Sequence, residues 1–419
     1  MADLGLLTPS YAAPAGPSRP RDRGSIRRTN LGVVLRILRD GGPRSRAQIA
    51  TDTGLPKPTV TSLVAELVAL GLVREGSAQR EGAVGRPGTL VQIDGRSLCG
   101  IGLEISTSYV HVLALTLNGS SAFEHRIPVA VAGVGAEAVL DLTAQEIRAC
   151  LAALDREGIR PVGVTLAVPG VIDVAAGTVA YAPAIGWRDV AVVDGLRARL
   201  ERTPPALVVE NDAKLAALAE YVAVQGADEV HDMVCITGER GIGAGIVTDG
   251  RLLRGATGFA GEVGHMPLDP ERRPCVCGRR GCWEVMVGLD AILRLAADDD
   301  DQVHDPTVEL ETRLAELRRR AQDGDPRTGA ALAQVAEDLG LGLALLADVL
   351  NPKVMVLGGY FTHIGDLMLD RVREVVRERV MAPDAGGCEV RLSGLGFAAA
   401  ARGGAYLALD AVHQDPGAV

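Results

Sequence analysis

His265-Met-Pro-Leu-Asp-Pro-Glu-Arg-Arg-Pro-Cys275-Val-Cys277-Gly-Arg-Arg-Gly-Cys282-Trp-Glu284 places three thiols and one imidazole within eighteen residues. Soft sulfur ligands with a single histidine make the closed tetrahedral set that a structural zinc prefers. Gly278 and Gly281 let the chain turn tightly enough for Cys277 and Cys282 to reach one ion. His265, Cys275, Cys277 and Cys282 are therefore the expected ligands of one Zn2+ per chain. The alternative is a loop of unpaired thiols, but four ligand-type residues rarely cluster in this way without a metal.

Around this cluster the composition is that of a globular chain. Its 419 residues are enough for two to four domains. Apolar residues make up 47% while Phe and Tyr together number ten, so alanine, valine and leucine must build the core. The N-terminus lacks a basic region followed by an apolar run, so no secretory leader is expected. The longest uncharged run, Ile105 to Phe123, is broken by Ser, Thr, Asn and Gly and is no membrane span. Seven cysteines, an odd number, fit a reducing cytosol, and a cytoplasmic location is expected. Cys99, Cys150, Cys235 and Cys388 lie in apolar stretches and read as buried core thiols.

The net charge of −10 hides an asymmetry. From Arg19 to Asp94 there are 13 basic residues against 7 acidic, and the remainder carries 30 against 46. A basic first part on an acidic body points to contact with a polyanion through the first part alone. Residues 1–24, rich in Pro, Ala, Ser and Arg, read as a disordered tail. Residues 25–95 then carry a compact helical pattern. Leu31, Val34, Leu35 and Leu38 recur at helical spacing within Asn30–Arg39, and Gly41-Gly42-Pro43 stops that helix. Ser45 can cap a second helix, Arg46–Asp52, which Gly54 ends. After Leu55-Pro56-Lys57-Pro58 a third helix is expected over Thr59–Leu70, with Gly71 as its stop. Leu72-Val73-Arg74 and Thr89–Ile93 would form a hairpin. This layout is a winged helix-turn-helix, with double-stranded DNA as partner.

In the third helix Val60, Leu63, Val64 and Leu67 face inward, leaving Lys57, Thr59, Thr61 and Ser62 near the exposed N-terminal end. Short polar side chains there can approach base edges, and Lys57 suits a phosphate or a guanine. Arg86, held between Gly85 and Pro87 at the wing tip, is shaped for a narrow minor groove.

From Leu98 onward the pattern is α/β. Strand-like runs occur at Gly100–Ile105, Val110–Leu117, Val162–Val168, Ala206–Val209, Met233–Thr237, Gly245–Thr248 and Val354–Leu357. Helical patterns separate them, notably Ala136–Leu154, Ala213–Val224, Leu289–Ala297, Val308–Gln322 and Gly329–Leu350. A strand followed by a tight turn and a hairpin occurs near residue 100 and again near residue 236, which hints at two similar lobes. Trp187 and Trp283 either stack on a ligand or pack in the core. Asp298–Asp301 with His304 reads as a solvated loop. Leu339–Leu350 reads as core, with room for part of it to meet a second subunit.

The order of winged helix, Gly-Arg-Pro, Glu210-Asn211-Asp212-Ala213, Gly258-Phe-Ala-Gly261-Glu262-Val-Gly264-His265 and the Cys-x-Cys-Gly-x-x-Gly-Cys-x-Glu run resembles the ROK family (repressors, open reading frames, kinases). Within it the chain is similar to the sugar-responsive regulators of the NagC/XylR type. The resemblance implies a two-lobed, actin-like (ribonuclease H-like) α/β body over residues 96–419, with hinges near 211 and 395. It also implies a sugar or sugar-derivative effector, with Asn211, Asp212, Glu262, His265 and Glu284 lining the pocket. The chemistry is apt, because carboxylates and an amide can each take paired sugar hydroxyls. His265 could hold zinc through one ring nitrogen and offer the other to a hydroxyl. Asp212 is also placed to act as a helix N-terminal carboxylate.

Kinase members of the family use the counterpart of Asp212 as general base, but the phosphate loops look damaged here. Where the family has Asp-Leu-Gly-Gly-Thr-Lys, this chain has Glu104-Ile105-Ser106-Thr107-Ser108-Tyr109. Where it has Gly-Thr-Gly-x-Gly-x-Gly, this chain has Glu239-Arg240-Gly241-Ile242-Gly243-Ala244-Gly245. Side chains obstruct the approach of backbone amides to phosphate, and Glu239 would face the triphosphate. Phosphoryl transfer depends on positioning and electrostatics, so neither ATP binding nor enzyme activity is expected. Gly358-Gly359 resembles the adenosine-side turn, but a tight turn there needs glycine in any case. Ala184 stands where members often carry an asparagine, removing one hydroxyl contact. The expectation is a DNA-binding repressor of sugar uptake or catabolism genes, acting as a homodimer or homotetramer without membrane contact. An active sugar kinase, or a regulator governed by a protein partner, is the alternative.

Overall fold

The chain opens with three helices, Arg23–Gly41, Arg46–Thr53 and Lys57–Ala69. The structure, a computed structural model, describes residues 23–76, 89–225, 230–382 and 388–418. Arg86 and nearly all of the N-terminal tail lie outside the described residues. Ser45 and Gln48 form a reciprocal cap on the second helix: Ser45 Oγ accepts from Gln48 N (3.3 Å) and Gln48 Oε1 from Ser45 N (2.8 Å). The third helix starts at Lys57 rather than Thr59, because Pro58 is tolerated in a first turn whose N–H groups have no helical acceptor. Strands Arg44–Ser45, Leu90–Ile93 and Val73–Glu75 form a three-stranded antiparallel sheet in that order. The hairpin expected from the sequence thus gains a short third strand from the link between the first two helices.

Two five-stranded sheets follow with the same topology. The first has the order Leu207–Asn211, Arg160–Val168, Leu98–Ile105, Tyr109–Thr116, Ser121–Pro128. The second has the order Glu389–Leu392, Val354–Gly359, Met233–Gly238, Ile242–Thr248, Arg251–Leu252. In each, the first three strands in the chain are antiparallel and the last two run parallel to the first. Leu98–Ile105 and Tyr109–Thr116 are buried at every position, as mainly apolar strands covered on both faces should be. One core gathers Ile101, Leu103, Val112 and Leu166 under helix Ala136–Glu157. The other gathers Val234, Ile236, Met355 and Leu357 under helix Pro326–Leu350.

Each lobe lends a helix to the space between them. Strand Leu207–Asn211 of the first sheet passes at Asp212 into helix Asp212–Gln225, which lies on the second sheet. Strand Glu389–Leu392 of the second sheet leads, through residues 393–398, into helix Ala399–Gln414, which lies on the first sheet. Small residues make these approaches possible. A Cβ on Gly102 would fall 1.7 Å from the carbonyl oxygen of Ala401, and one on Gly403 1.8 Å from that of Leu215.

The same last helix carries the head. Leu409 and Val412 join Leu98 and Leu117 in one core with Leu31, Leu35, Leu63, Leu67 and Ile93. Arg36 Nη1 donates to the carbonyl of His413 (3.2 Å). Burial pushes the ring of His413 down to about 3, so it is neutral at this junction.

Pro326–Leu350 is the only described helix long and apolar enough to cross a membrane, and much of it is buried in the second core. Its end is open: Val349 is 78% exposed and Leu345 39%, while Leu339, Leu343 and Leu346 are buried as expected. Cys388 is half-buried rather than buried, while Cys99, Cys150 and Cys235 are core thiols as expected.

Candidate metal and ligand site

The ligand atoms of His265, Cys275, Cys277 and Cys282 all lie within 4.8 Å of one another. Cys277 Sγ and Cys282 Sγ are 3.7 Å apart, and His265 Nδ1 is 3.7 Å from Cys275 Sγ. The edge of a tetrahedron with zinc–sulfur bonds of about 2.3 Å is about 3.8 Å, so the four donors fit one ion. Gly278 (φ 85°) and Gly281 (φ 84°) take the left-handed turns that fold the loop back. Between them Pro274 and Arg280 form an isolated bridge, and Cys275 N donates to the carbonyl of Arg279.

The ring of His265 faces two ways. Nδ1 points at the sulfurs and Nε2 at Glu262, 4.0 Å away. Glu284 Oε1 lies 2.7 Å from Cys275 Sγ and 3.6 Å from His265 Nδ1, so Glu284 stands on the wall between cluster and cleft.

A cleft opens between the lobes and is lined by Asn211, Asp212, Glu262, His265 and Glu284 together. Asn211 is fixed at both ends: Nδ2 donates to Gly170 O (3.0 Å), and Oδ1 accepts from Lys214 N (3.0 Å). Asp212 heads its helix and accepts from Ala213 N (2.8 Å), so its helix N-terminal role and its place in the cleft coincide. Burial pushes Asp212 up to about 6, with Glu262 adding to the rise and the Ala213 N–H opposing it. Ala184 is on the cleft wall.

Trp187 and Trp283 do not line it. Trp283 is fully buried with Nε1 donating to Asp338 O (2.8 Å), and Trp187 lies in the first core. Packing is therefore what both tryptophans do. In the acidic loop Asp301 pairs with Arg320 and Asp298 with Arg327, at 2.7 Å each.

Two groups near the cleft escaped the sequence reading. Lys214 is buried one turn past Asn211 and donates to Gly258 O, tying the helix to the loop that carries Glu262. Arg254 pairs with buried Glu210 at 3.2 Å. The lysine was visible as the third residue after Asn211; the arginine, 44 positions from its partner, gave no local signal.

Comparison with known proteins identifies the architecture. The ROK family is matched over residues 101–411 and the IclR helix-turn-helix domain over residues 30–77. The chain belongs to the ROK family. It is 29% identical over 360 residues to the xylose repressor of Caldicellulosiruptor bescii, covering 84% of this chain and 88% of that one. Among solved structures, a ROK family transcriptional regulator, homologue of the E. coli MLC protein, aligns with TM-score 0.73 and 25% identity, over 93% of this chain and 97% of that one. A ROK glucokinase from Streptomyces griseus, in complex with glucose and AMPPNP, aligns with TM-score 0.62 and 29% identity over 74% of this chain and 99% of its own.

In this ROK chain the turns after the first strand of each lobe, at Ser106 and Glu239, touch each other. Ser106 Oγ, on the first lobe, donates to Glu239 Oε1, on the second, at 2.5 Å. Tyr109 Oη donates to Glu104 Oε1 (3.0 Å), and Arg126 lies 3.9 Å over the Tyr109 ring while pairing with Glu311 of the second lobe. Burial pushes Glu239 up to about 7; Ser106 opposes the rise and Asp212 adds to it.

On the head, Lys57, Thr61 and Ser62 are exposed and Thr59 is half-buried. Arg27 of the first helix donates to Ser62 Oγ (3.0 Å) and pairs with Glu66. Thr61 Oγ1 donates back to Lys57 O (3.0 Å).

Proposed function

We propose that this chain is a DNA-binding transcriptional repressor of sugar uptake or catabolism genes, whose operator affinity is set by a sugar or sugar derivative bound between the lobes. The observation that carries this reading is the last helix. It lies on the first sheet beside the cleft and ends in the core of the helix-turn-helix head. A change in lobe closure about residues 211 and 395 would then move the head. Two heads of a homodimer or homotetramer must match a fixed half-site spacing, so a small rotation is enough to release the operator. Lys57, Thr59, Thr61, Ser62 and Arg86 would meet the DNA. Arg27 adds a cation on the same face.

In the cleft, Asp212, Glu262, Glu284 and Asn211 would take the hydroxyls, and His265 would donate from Nε2. Zn2+ held by Cys275, Cys277, Cys282 and His265 Nδ1 would fix that ring's tautomer and aim. ATP turnover is not part of this reading, since Glu239, bonded to Ser106, would set a carboxyl group against a phosphate. The regulator is taken to work in the cytoplasm.

Footprinting on the DNA flanking the gene tests the reading, with and without a panel of hexoses, pentoses and their amino and phosphate derivatives. A protected operator released by one of them is expected. No protection at moderate salt would overturn it. Steady ATP consumption with any of these sugars would restore the kinase alternative.

A further inference from the structure

The chain crosses between the lobes at Asp212 and through residues 393–398. Lobes joined in this way can hinge, and contacts away from the crossings decide the angle at which they rest. Two polar contacts reach from lobe to lobe. In the first, Ser106 Oγ donates to Glu239 Oε1 at 2.5 Å. Both ends are anchored within their own lobes. Ser106 is 1% exposed, and its N–H donates to Tyr109 O (2.9 Å). The Glu239 N–H donates to Gly241 O (3.0 Å), and the Glu239 carbonyl accepts from Leu289 N (3.1 Å). Neither turn can follow the other when the lobes rotate, so opening breaks the bond.

The second contact runs from Arg126, on the edge strand Ser121–Pro128, to Glu311, at the start of helix Leu310–Gln322. A partly exposed ion pair contributes little by itself. This guanidinium, however, is held in place by rings. It lies 3.9 Å over Tyr109, its diagonal neighbour across the sheet, and 5.5 Å from the ring centre of Phe397. Phe397 belongs to the second crossing, and its ring stacks on His363 of the second lobe with centroids 5.2 Å apart. A planar cation already set against two rings loses little further freedom when it pairs, which favours the bond to Glu311. Arg126 thus ties the first lobe to the crossing and to the second lobe together.

We propose that Ser106–Glu239 and Arg126–Glu311 form a clasp that holds the two lobes at this closure with no nucleotide bound. Tyr109, Glu239 and Phe397 line the cleft, so the clasp is part of its wall. A ligand that touches Gly170 of the first lobe and Glu262 of the second meets both walls already in place. One that needs the lobes apart must break both contacts. The clasp goes beyond the repressor reading and stands without it, because it concerns how the lobes rest and not what they regulate.

Hydrogen exchange of the full chain, followed by mass spectrometry, tests it with the substitution in one lobe and the readout in the other. Ser106→Ala or Arg126→Ala in the first lobe should speed exchange over residues 237–243 and 309–313 of the second. The expected acceleration is about five- to tenfold, the change that losing one hydrogen bond makes in an opening equilibrium. Glu239→Ala should do the same over residues 104–110. Glu239→Gln keeps an acceptor oxygen for the Ser106 hydroxyl and should exchange as wild type does. Residues 99–103 and 244–247, inside the two sheets, should keep their rates in every variant, which separates opening of the lobes from loss of the fold. If Arg126→Ala misfolds, Ser106→Ala and Glu239→Ala still read the clasp from its two sides. Magnesium ATP should leave all these rates in wild type unchanged. No acceleration, acceleration confined to the substituted lobe, or protection of the two turns by ATP overturns the clasp.

Discussion

In the proposed site His265 would link two jobs through one ring, because Nδ1 faces the cysteine cluster and Nε2 faces Glu262 in the cleft. Losing the metal should therefore be felt by the ligand. Cys282→Ser is expected to abolish stoichiometric zinc, read by elemental mass spectrometry, and to weaken effector binding about 10–100-fold by calorimetry. Full zinc retention would show that the cluster is not the site. Glu239 makes a different prediction. An unfolded glutamate ionises near 4.5, but burial holds this one protonated to about 7. Between those values the folded state keeps a proton that the unfolded chain has lost, so stability falls as pH rises through that window and levels above it. Ser106, Arg126 and Arg240 favour the charged form, and Asp212 opposes it. Asp212 and Glu104 shift in the same direction as Glu239. Glu239→Gln should therefore shrink, not remove, the drop in melting temperature between pH 5 and pH 8, by an amount worth at most about 3 kcal/mol. A drop unchanged from wild type in calorimetry would count against this placement. The gathering of His265, Cys275, Cys277 and Cys282 was legible because all four sit within one short loop. The Ser106–Glu239 contact was not, since 133 residues separate partners that only the folded lobes bring together.

At the scale of elements, the strands and helices read correctly were those with strong periodicity. Lys57–Ala69 shows the limit: its apolar positions were clear, but its start was obscured by Pro56 and Pro58, which end helices elsewhere and open this one. Ser121–Pro128 escaped because it is an edge strand whose Glu124, His125 and Arg126 break any alternation. Ala399–Gln414 escaped for the opposite reason. Its alanines carry little hydrophobic signal and the pair Gly403-Gly404 has poor helix propensity, yet its neighbours lie so close that larger residues are excluded. That closeness is testable. Gly102→Ala would drive a methyl into the Ala401 carbonyl, so the strand and helix must part. A loss of about 1–3 kcal/mol or more is expected from the midpoint of denaturant unfolding. An unmoved midpoint would mean the helix is not seated as described. Ser45→Ala, which removes half of a reciprocal cap, should cost only about 1 kcal/mol.

At the scale of the molecule, one topology is used twice and the chain crosses between its copies twice, at Asp212 and across residues 393–398. The repeat was hinted at by two similar turns in the sequence. The docking of the head was not, because Leu409 and Val412 read as ordinary core positions with nothing to say whose core they join. That docking makes head and body one thermodynamic unit. If a ligand lowers operator affinity by some factor, the operator must lower ligand affinity by the same factor. Leu409→Ala with Val412→Ala opens a cavity at the junction worth roughly 4–8 kcal/mol, since each truncation in a core costs about 2–4. The sequence-reading surface of the head is left untouched. We expect operator binding to persist in the double variant, the ligand to bind the body as before, and the factor linking the two to fall toward one. Fluorescence anisotropy of labelled operator, titrated with and without saturating ligand, reads this factor directly. Calorimetry should show the head melting ahead of the body. If the double variant keeps full coupling and a single transition, the signal passes by another route than the last helix.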